Sequence, residues 1–164
     1  MGKGKPSNCP FCGAQDHYLV NASKWVDGNA DVGQLTARSR KNLEEALQLE
    51  VNNLTFYRDA MGKTKDIELQ GIFKYLSKIE QEHASVIKKI LKCELPQPET
   101  DKGIAADSDR ENLASAHARE EKATSFYRQA AGEAGEPRVR TVFTALSEIE
   151  SDHVQLEGEA LAKQ

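Results

Sequence analysis

Two copies of a Glu-x-x-His motif, Glu80 with His83 and Glu150 with His153, stand 70 residues apart in a chain of 164, and each follows a glutamate, Glu50 or Glu120, by 30 residues. In a helix a step of three brings carboxylate and imidazole to one face, a turn apart. Isolated carboxylates are too costly to bury in charged form without a counter-charge. Four of them meeting inside one protein carry −4, which two divalent cations neutralise. An oxygen-rich set with one imidazole per metal suits iron or manganese better than zinc, which takes fewer and softer ligands. One Glu-x-x-His on a charged helix is common and says little. Two copies in register, each with the same upstream glutamate, are hard to obtain from solvated charge alone, and the six residues Glu50, Glu80, His83, Glu120, Glu150 and His153 are the expected dimetal ligands.

The elements that must carry them follow from the punctuation of the chain. From about residue 36 the sequence reads as four long helices: 36–61, stopping at Gly62; 66–92, with Asp66 as N-cap; 108–132, opening on the capping box Ser108-Asp-Arg-Glu111; and 137–162, with Pro137 at the first position. Connectors one and three are short and predict antiparallel hairpins. The second contains Pro96 and Pro98, which cannot continue a helix, and is long enough to run the length of a bundle. Shifting the sequence by 70 superposes residues 40–83 on 110–153 without a gap, with 16 of the 44 positions identical. The economical reading is a duplicated hairpin forming an all-α, antiparallel four-helix bundle with a long crossover between its second and third helices and internal pseudo-twofold symmetry. The apolar stripe of the second helix is Leu69, Phe73, Leu76, Ile87 and Ile90, interrupted by Glu80 and His83. The fourth repeats it with Val139, Phe143, Leu146 and Leu156 around Glu150 and His153. Leu43, Leu47, Leu54 and Tyr57 flank Glu50 in the first, and Leu113 and Tyr127 flank Glu120 in the third. Tyr57 and Tyr127 fall two turns after Glu50 and Glu120 on the same face, where a hydroxyl is expected to bond a ligand carboxylate.

Residues 1–35 form a separate amino-terminal segment, ahead of the bundle at 36–164. It concentrates turn-forming residues, carries a strand-like stretch His17-Tyr18-Leu19-Val20, and holds the knuckle Cys9-Pro10-Phe11-Cys12-Gly13. One CxxC aims two thiolates at a single iron or zinc ion, and a tetrahedral site needs two more ligands. Two chains of a homodimer are expected to pool Cys9 and Cys12 into one four-thiolate site; His17 and Cys93 of the same chain are the rival pair, and an unmetallated dithiol is the plainer alternative. His117 reads as a partly buried spectator, Trp25 as packing, and Glu82 and Asp152 as solvated surface. Apolar residues are 38% and charged ones 29% of the chain, with a net charge of −4 and no basic cluster beyond the start MGKGK, so nucleic acid is not an expected partner. No apolar run reaches a membrane span. The start has no apolar leader, Pro6 stands where a myristoylation signal wants Ser or Thr, and three cysteines fit a reducing cytoplasm, the expected location.

On the paired Glu…Glu-x-x-His pattern, over about residues 36–162, the chain resembles the ferritin-like superfamily and within it the rubrerythrins. The resemblance implies two iron ions held by the six residues named above, which then also carry the catalysis. It further implies reduction of hydrogen peroxide or dioxygen and electrons from a rubredoxin-like donor. A non-enzymatic iron-binding or iron-handling protein of the same superfamily is the alternative. Two departures stand out. Rubrerythrins have a further glutamate one turn after the third-helix ligand, where this chain has Ala123, with Glu121 pointing elsewhere. A rubredoxin domain also needs two CxxC knuckles, and here there is one.

Overall fold

A computed structural model describes residues 6–99 and 103–164; the basic start 1–5 and residues 100–102 of the second connector lie outside the described residues. Four helices dominate: α1 (Ala37–Lys63), α2 (Ile67–Leu91), α3 (Asp109–Glu133) and α4 (Pro137–Leu161). Their starts are the ones the capping residues predict. Thr36 accepts from the Ser39 N–H at 3.2 Å, Asp66 from Glu68 and Leu69 at 2.8 and 3.1 Å, and Ser108 from Glu111 at 3.3 Å. Pro137 opens α4, whose preceding residue Glu136 reaches across to the Thr36 N–H at 2.5 Å and so ties the starts of α1 and α4 together.

The helices pair as α1 with α2 and α3 with α4, and α1 packs further on α3. Cross-helix contacts fix the directions. Tyr57 meets Glu120 while Tyr127 meets Glu50, and His83 meets Glu150 while His153 meets Glu80. Residue number rises along one helix as it falls along the other in both sets, so α1 runs antiparallel to α3 and α2 to α4. With two antiparallel hairpins this is the expected all-α four-helix bundle with its crossover. The described parts of the second connector, 92–99 and 103–108, lie along α1, held by Gln48 to the Gln97 carbonyl (3.1 Å), the Glu99 N–H to Asn52 (2.9 Å) and the Ala105 N–H to Asp59 (2.8 Å). The core divides into two apolar clusters, one around Leu43, Ile87, Tyr127 and Phe143, the other around Tyr57, Phe73, Leu113 and Ala160. Among the described residues no helix is long and apolar enough to cross a membrane.

The amino-terminal segment lies on the α2/α4 face. Asn8 bonds Asp152 (3.2 Å), His17 pairs with Glu148 (3.2 Å), and Asn29 accepts from Arg138 (2.8 Å). The strand-like stretch at 17–20 is not a strand: Asp16–Tyr18 is a 3₁₀ turn, followed by another at Ala22–Lys24. The only β pairing among the described residues is the isolated Asn8–Gln15 bridge that closes the knuckle. A strand needs a partner along its length, and this segment packs on helices instead. Trp25, expected in packing, is 62% exposed.

Candidate metal centre

Six side chains converge at mid-bundle. Glu50, Glu80, Glu120 and Glu150 are fully buried, and His83 and His153 nearly so. Their ligand atoms form two groups, each with its atoms within 4.8 Å of one another: Glu50, Glu80, His83 and Glu150 in one, Glu80, Glu120, Glu150 and His153 in the other. Glu80 and Glu150 belong to both. His83 Nδ1 lies 3.2 Å from Glu150 Oε1 and 3.8 Å from Glu80 Oε2, whereas His153 Nδ1 lies 2.8 Å from Glu150 Oε2 and 3.7 Å from Glu80 Oε1. Each of these two carboxylates therefore turns one oxygen to each half of the site. Glu50 adds an oxygen 3.5 Å from His83 Nδ1 in the first half.

Whether a metal pair fits is decided by what these atoms lack. Both oxygens of Glu80 and of Glu150, one each of Glu50 and Glu120, and Nδ1 of both histidines are buried without a hydrogen-bond partner. Native proteins rarely leave buried polar atoms unpaired, because each costs a desolvation penalty of about 1–3 kcal/mol. Eight such atoms facing one another are what a pair of cations would satisfy at once. The donor set, carboxylates with one imidazole per half, is that of iron or manganese. In the protein alone the charges are frustrated. Burial first, then Glu150 and Glu50, push the Glu80 carboxyl well above the usual range, and burial, Glu150 and Glu80 do the same to Glu120. Burial would raise Glu150 too, but His83 and His153 outweigh it and hold this carboxyl well below. The His83 imidazole, despite its burial, is driven upward by Glu50 and Glu150.

The two tyrosines sit where their spacing places them. The buried Tyr127 hydroxyl donates to Glu50 and the Tyr57 hydroxyl to Glu120. Tyr57 Oη also lies 2.7 Å from Oε1 of Glu157, a fully buried carboxyl outside the six expected ligands. One hydroxyl carries one proton, so one of the two acids must supply its own. Burial lifts Glu157 up to about 8, and a metal-binding Glu120 must be the anion, which leaves Glu157 the neutral partner at pH 7. The signal was present: from Phe143 the buried stripe of α4 steps through 146, 150, 153, 157 and 160, and Leu156, the expected core position, is only partly buried. The repeat hid it, because position 157 corresponds to Ile87. Replacing Tyr127 by Phe leaves the Glu50 oxygen without its donor and is expected to weaken metal binding about 10–100-fold, read by competition against a chelator; unchanged affinity would make the hydroxyl a packing group only.

Elsewhere the expected residues separate. Cys9 and Cys12 are partly exposed at the knuckle, and no group of three or more potential ligands among the described residues includes either of them. His17 is engaged with Glu148, and Cys93 packs at the edge of the core beyond the end of α2, so the proposed intrachain quartet is not assembled. Ala123 is fully buried, and Glu121 is exposed beside His117, so nothing on α3 takes the place of the further glutamate. His117 Nδ1 bonds the Val154 carbonyl at 3.1 Å, away from the centre. Glu82 and Asp152 are exposed, and Asp152 receives the knuckle's Asn8 and Gln15. A cavity of about 320 Å³ between the amino-terminal segment and α2/α4 is lined by both Cys12 and His83, with Trp25, Arg138 and Ile149.

A hypothetical protein from Pyrococcus furiosus has a similar structure, with a TM-score of 0.67 over 76% of this chain and 88% of that one at 18% identity, a likeness of fold alone. No curated protein matches the sequence. The profile of the rubrerythrin family matches residues 41–155, from the first helix through both Glu-x-x-His motifs. With that match over most of its length, this chain belongs to the rubrerythrin family.

Proposed function

We propose that the centre holds two iron ions, ligated by Glu50, Glu80, His83, Glu120, Glu150 and His153, and that the protein reduces hydrogen peroxide, or dioxygen, in protection against oxidants. The observation that carries this reading is the pair of buried ligand groups sharing Glu80 and Glu150, with eight unsatisfied atoms between them. A bound iron pair would supply two electrons, enough to cleave the O–O bond of peroxide to two waters or to take dioxygen to peroxide. The chain supplies the surroundings: complete burial keeps bulk water out, the two tyrosine hydroxyls fix Glu120 and Glu50, and Glu157 holds a proton two turns along α4 from Glu150. The buried Ala123 and the lone CxxC favour a second reading, iron handling without turnover. Anaerobic iron loading followed by peroxide separates the two. The enzyme reading expects two iron per chain, ferric absorbance on adding peroxide, and repeated bleaching and return when reductant is resupplied. Iron bound at that ratio with no peroxide consumed beyond a single oxidation favours handling, and no iron bound sinks both.

A further inference from the structure

The CxxC knuckle is docked on one half of the centre. His83 turns Nδ1 to Glu50 and Glu150 and its other nitrogen outward, where Nε2–H donates to the Cys12 carbonyl at 3.2 Å. His153 has no such link, since its Nε2 is buried without a partner. The knuckle is held in place by a tight turn, with the Cys9 N–H on the Ala14 carbonyl (2.8 Å) and the Gly13 N–H on the Cys9 carbonyl (3.0 Å). Gly13 is at φ +74°, and a Cβ there would stand 2.9 Å from Ile149 Cγ2, so a side chain would both strain the turn and lift it off α4. Cys9 and Cys12 are both free and half-buried on this turn. Two sulfurs stand together with no third ligand from the described residues, one imidazole away from a two-electron centre.

We propose that Cys9 and Cys12 act as a dithiol–disulfide couple that delivers an electron pair to the centre beside them, an inference that rests on the peroxide-reducing reading. The balance closes within the molecule and its substrate. Two S–H bonds break and one S–S bond forms, releasing two electrons and two protons; peroxide takes both, its O–O bond breaks, and two waters result. The disulfide is reset by an external dithiol, whose thiolate attacks the more accessible sulfur and leaves as a disulfide. Cys93 takes no part.

The test counts thiols. Full-length protein, reduced and iron-loaded without oxygen, receives two equivalents of peroxide, one for the ferrous pair and one for the dithiol, is quenched with an alkylating agent and is read by mass spectrometry. The expected result is a Cys9–Cys12 disulfide with Cys93 alkylated, formed at least about tenfold faster than in metal-free protein, where peroxide must attack the thiols directly. Gly13→Val, expected to keep its metal content while displacing the knuckle, should bring the rate down to the metal-free value. Three results would overturn the couple: thiols left free after the loaded protein has consumed peroxide, equal oxidation with and without metal or with Gly13→Val, or an iron or zinc ion retained by Cys9 and Cys12 at one per two chains. The first leaves peroxide reduction standing and removes only the donor; a loaded protein that consumes no peroxide fails the underlying reading instead.

Discussion

Glu80→Ala and Glu150→Ala should each abolish binding of both metals, whereas Glu50→Ala and Glu120→Ala should spare one. The difference follows from which oxygens face which half. Glu80 and Glu150 each present Oε1 to one histidine and Oε2 to the other, and both belong to the two ligand groups; Glu50 and Glu120 belong to one each. Removing a residue that merely supports a ligand commonly costs about 10–100-fold in metal affinity, so losing a ligand common to both cations should cost at least about 100-fold at each. Elemental analysis after dialysis against a weak chelator reads the outcome as metal per chain. In the metal-free protein Glu80→Ala loses a fully buried carboxyl that its carboxylate neighbours disfavour and should melt at or above metal-free wild type near pH 8, whereas Glu150→Ala also loses the anion between His83 and His153, so its metal content is read only on protein whose helical circular dichroism matches wild type. Two metals per chain in either bridging variant would refute the shared-ligand geometry.

Much of this site was legible because its information is periodic. The 70-residue repeat superposes Glu50 on Glu120 and each Glu-x-x-His on the other, and steps of three and four along an apolar stripe point them inward without knowledge of the neighbouring helix. Caps are equally local: Thr36, Asp66 and Ser108 bond N–H groups two or three residues ahead, so residue type suffices to find them. Glu157 was legible by the same periodicity, but the repeat set Ile87 opposite it and a leucine beside it offered a more ordinary core residue. The docking of the amino-terminal segment was of another kind. That His83 Nε2–H meets the Cys12 carbonyl, and that Gly13 fits against Ile149, depends on surfaces 71 and 136 residues apart in sequence, which no local pattern encodes. The same holds for 17–20, where β-forming side chains lack a second strand and the backbone takes a 3₁₀ turn instead.

The metal-free protein should lose stability as pH rises from 5 to 8, while the loaded protein holds or gains. Glu80, Glu120 and Glu157 have carboxyls raised above the ordinary 4.5, by burial in each case and by neighbouring carboxylates, Glu157 to about 8. A group that keeps its proton to higher pH when folded stabilises fully below its unfolded pKa, and that stability is lost as pH climbs to the folded value. His83, raised above 6.5 by Glu50 and Glu150, has the same sign. Glu150 has the opposite one: its carboxyl is depressed by the two histidines, so its contribution is complete above about 4.5 and falls away only in acid. Between pH 5 and 8, then, every one of these groups that is still changing works against the fold, at about 1.4 kcal/mol per pH unit for each group in its window. A net loss of only about 3 kcal/mol would lower the melting temperature by roughly 6–12 °C in a chain of this size. Metal binding reverses the trend at the ligands, because it requires them deprotonated and favours the folded state more as protons leave. Glu157 is not among the ligand groups, so its share should persist in the loaded protein and vanish in Glu157→Gln, which keeps a donor for Tyr57 but has no charge to gain. Calorimetric melting of both forms at half-unit pH steps decides it: a metal-free melting temperature that stays flat from pH 5 to 8 would mean the four carboxylates do not meet in the metal-free fold, and a Glu157→Gln variant with the wild-type slope in the loaded form would mean that Glu157 is already ionised there.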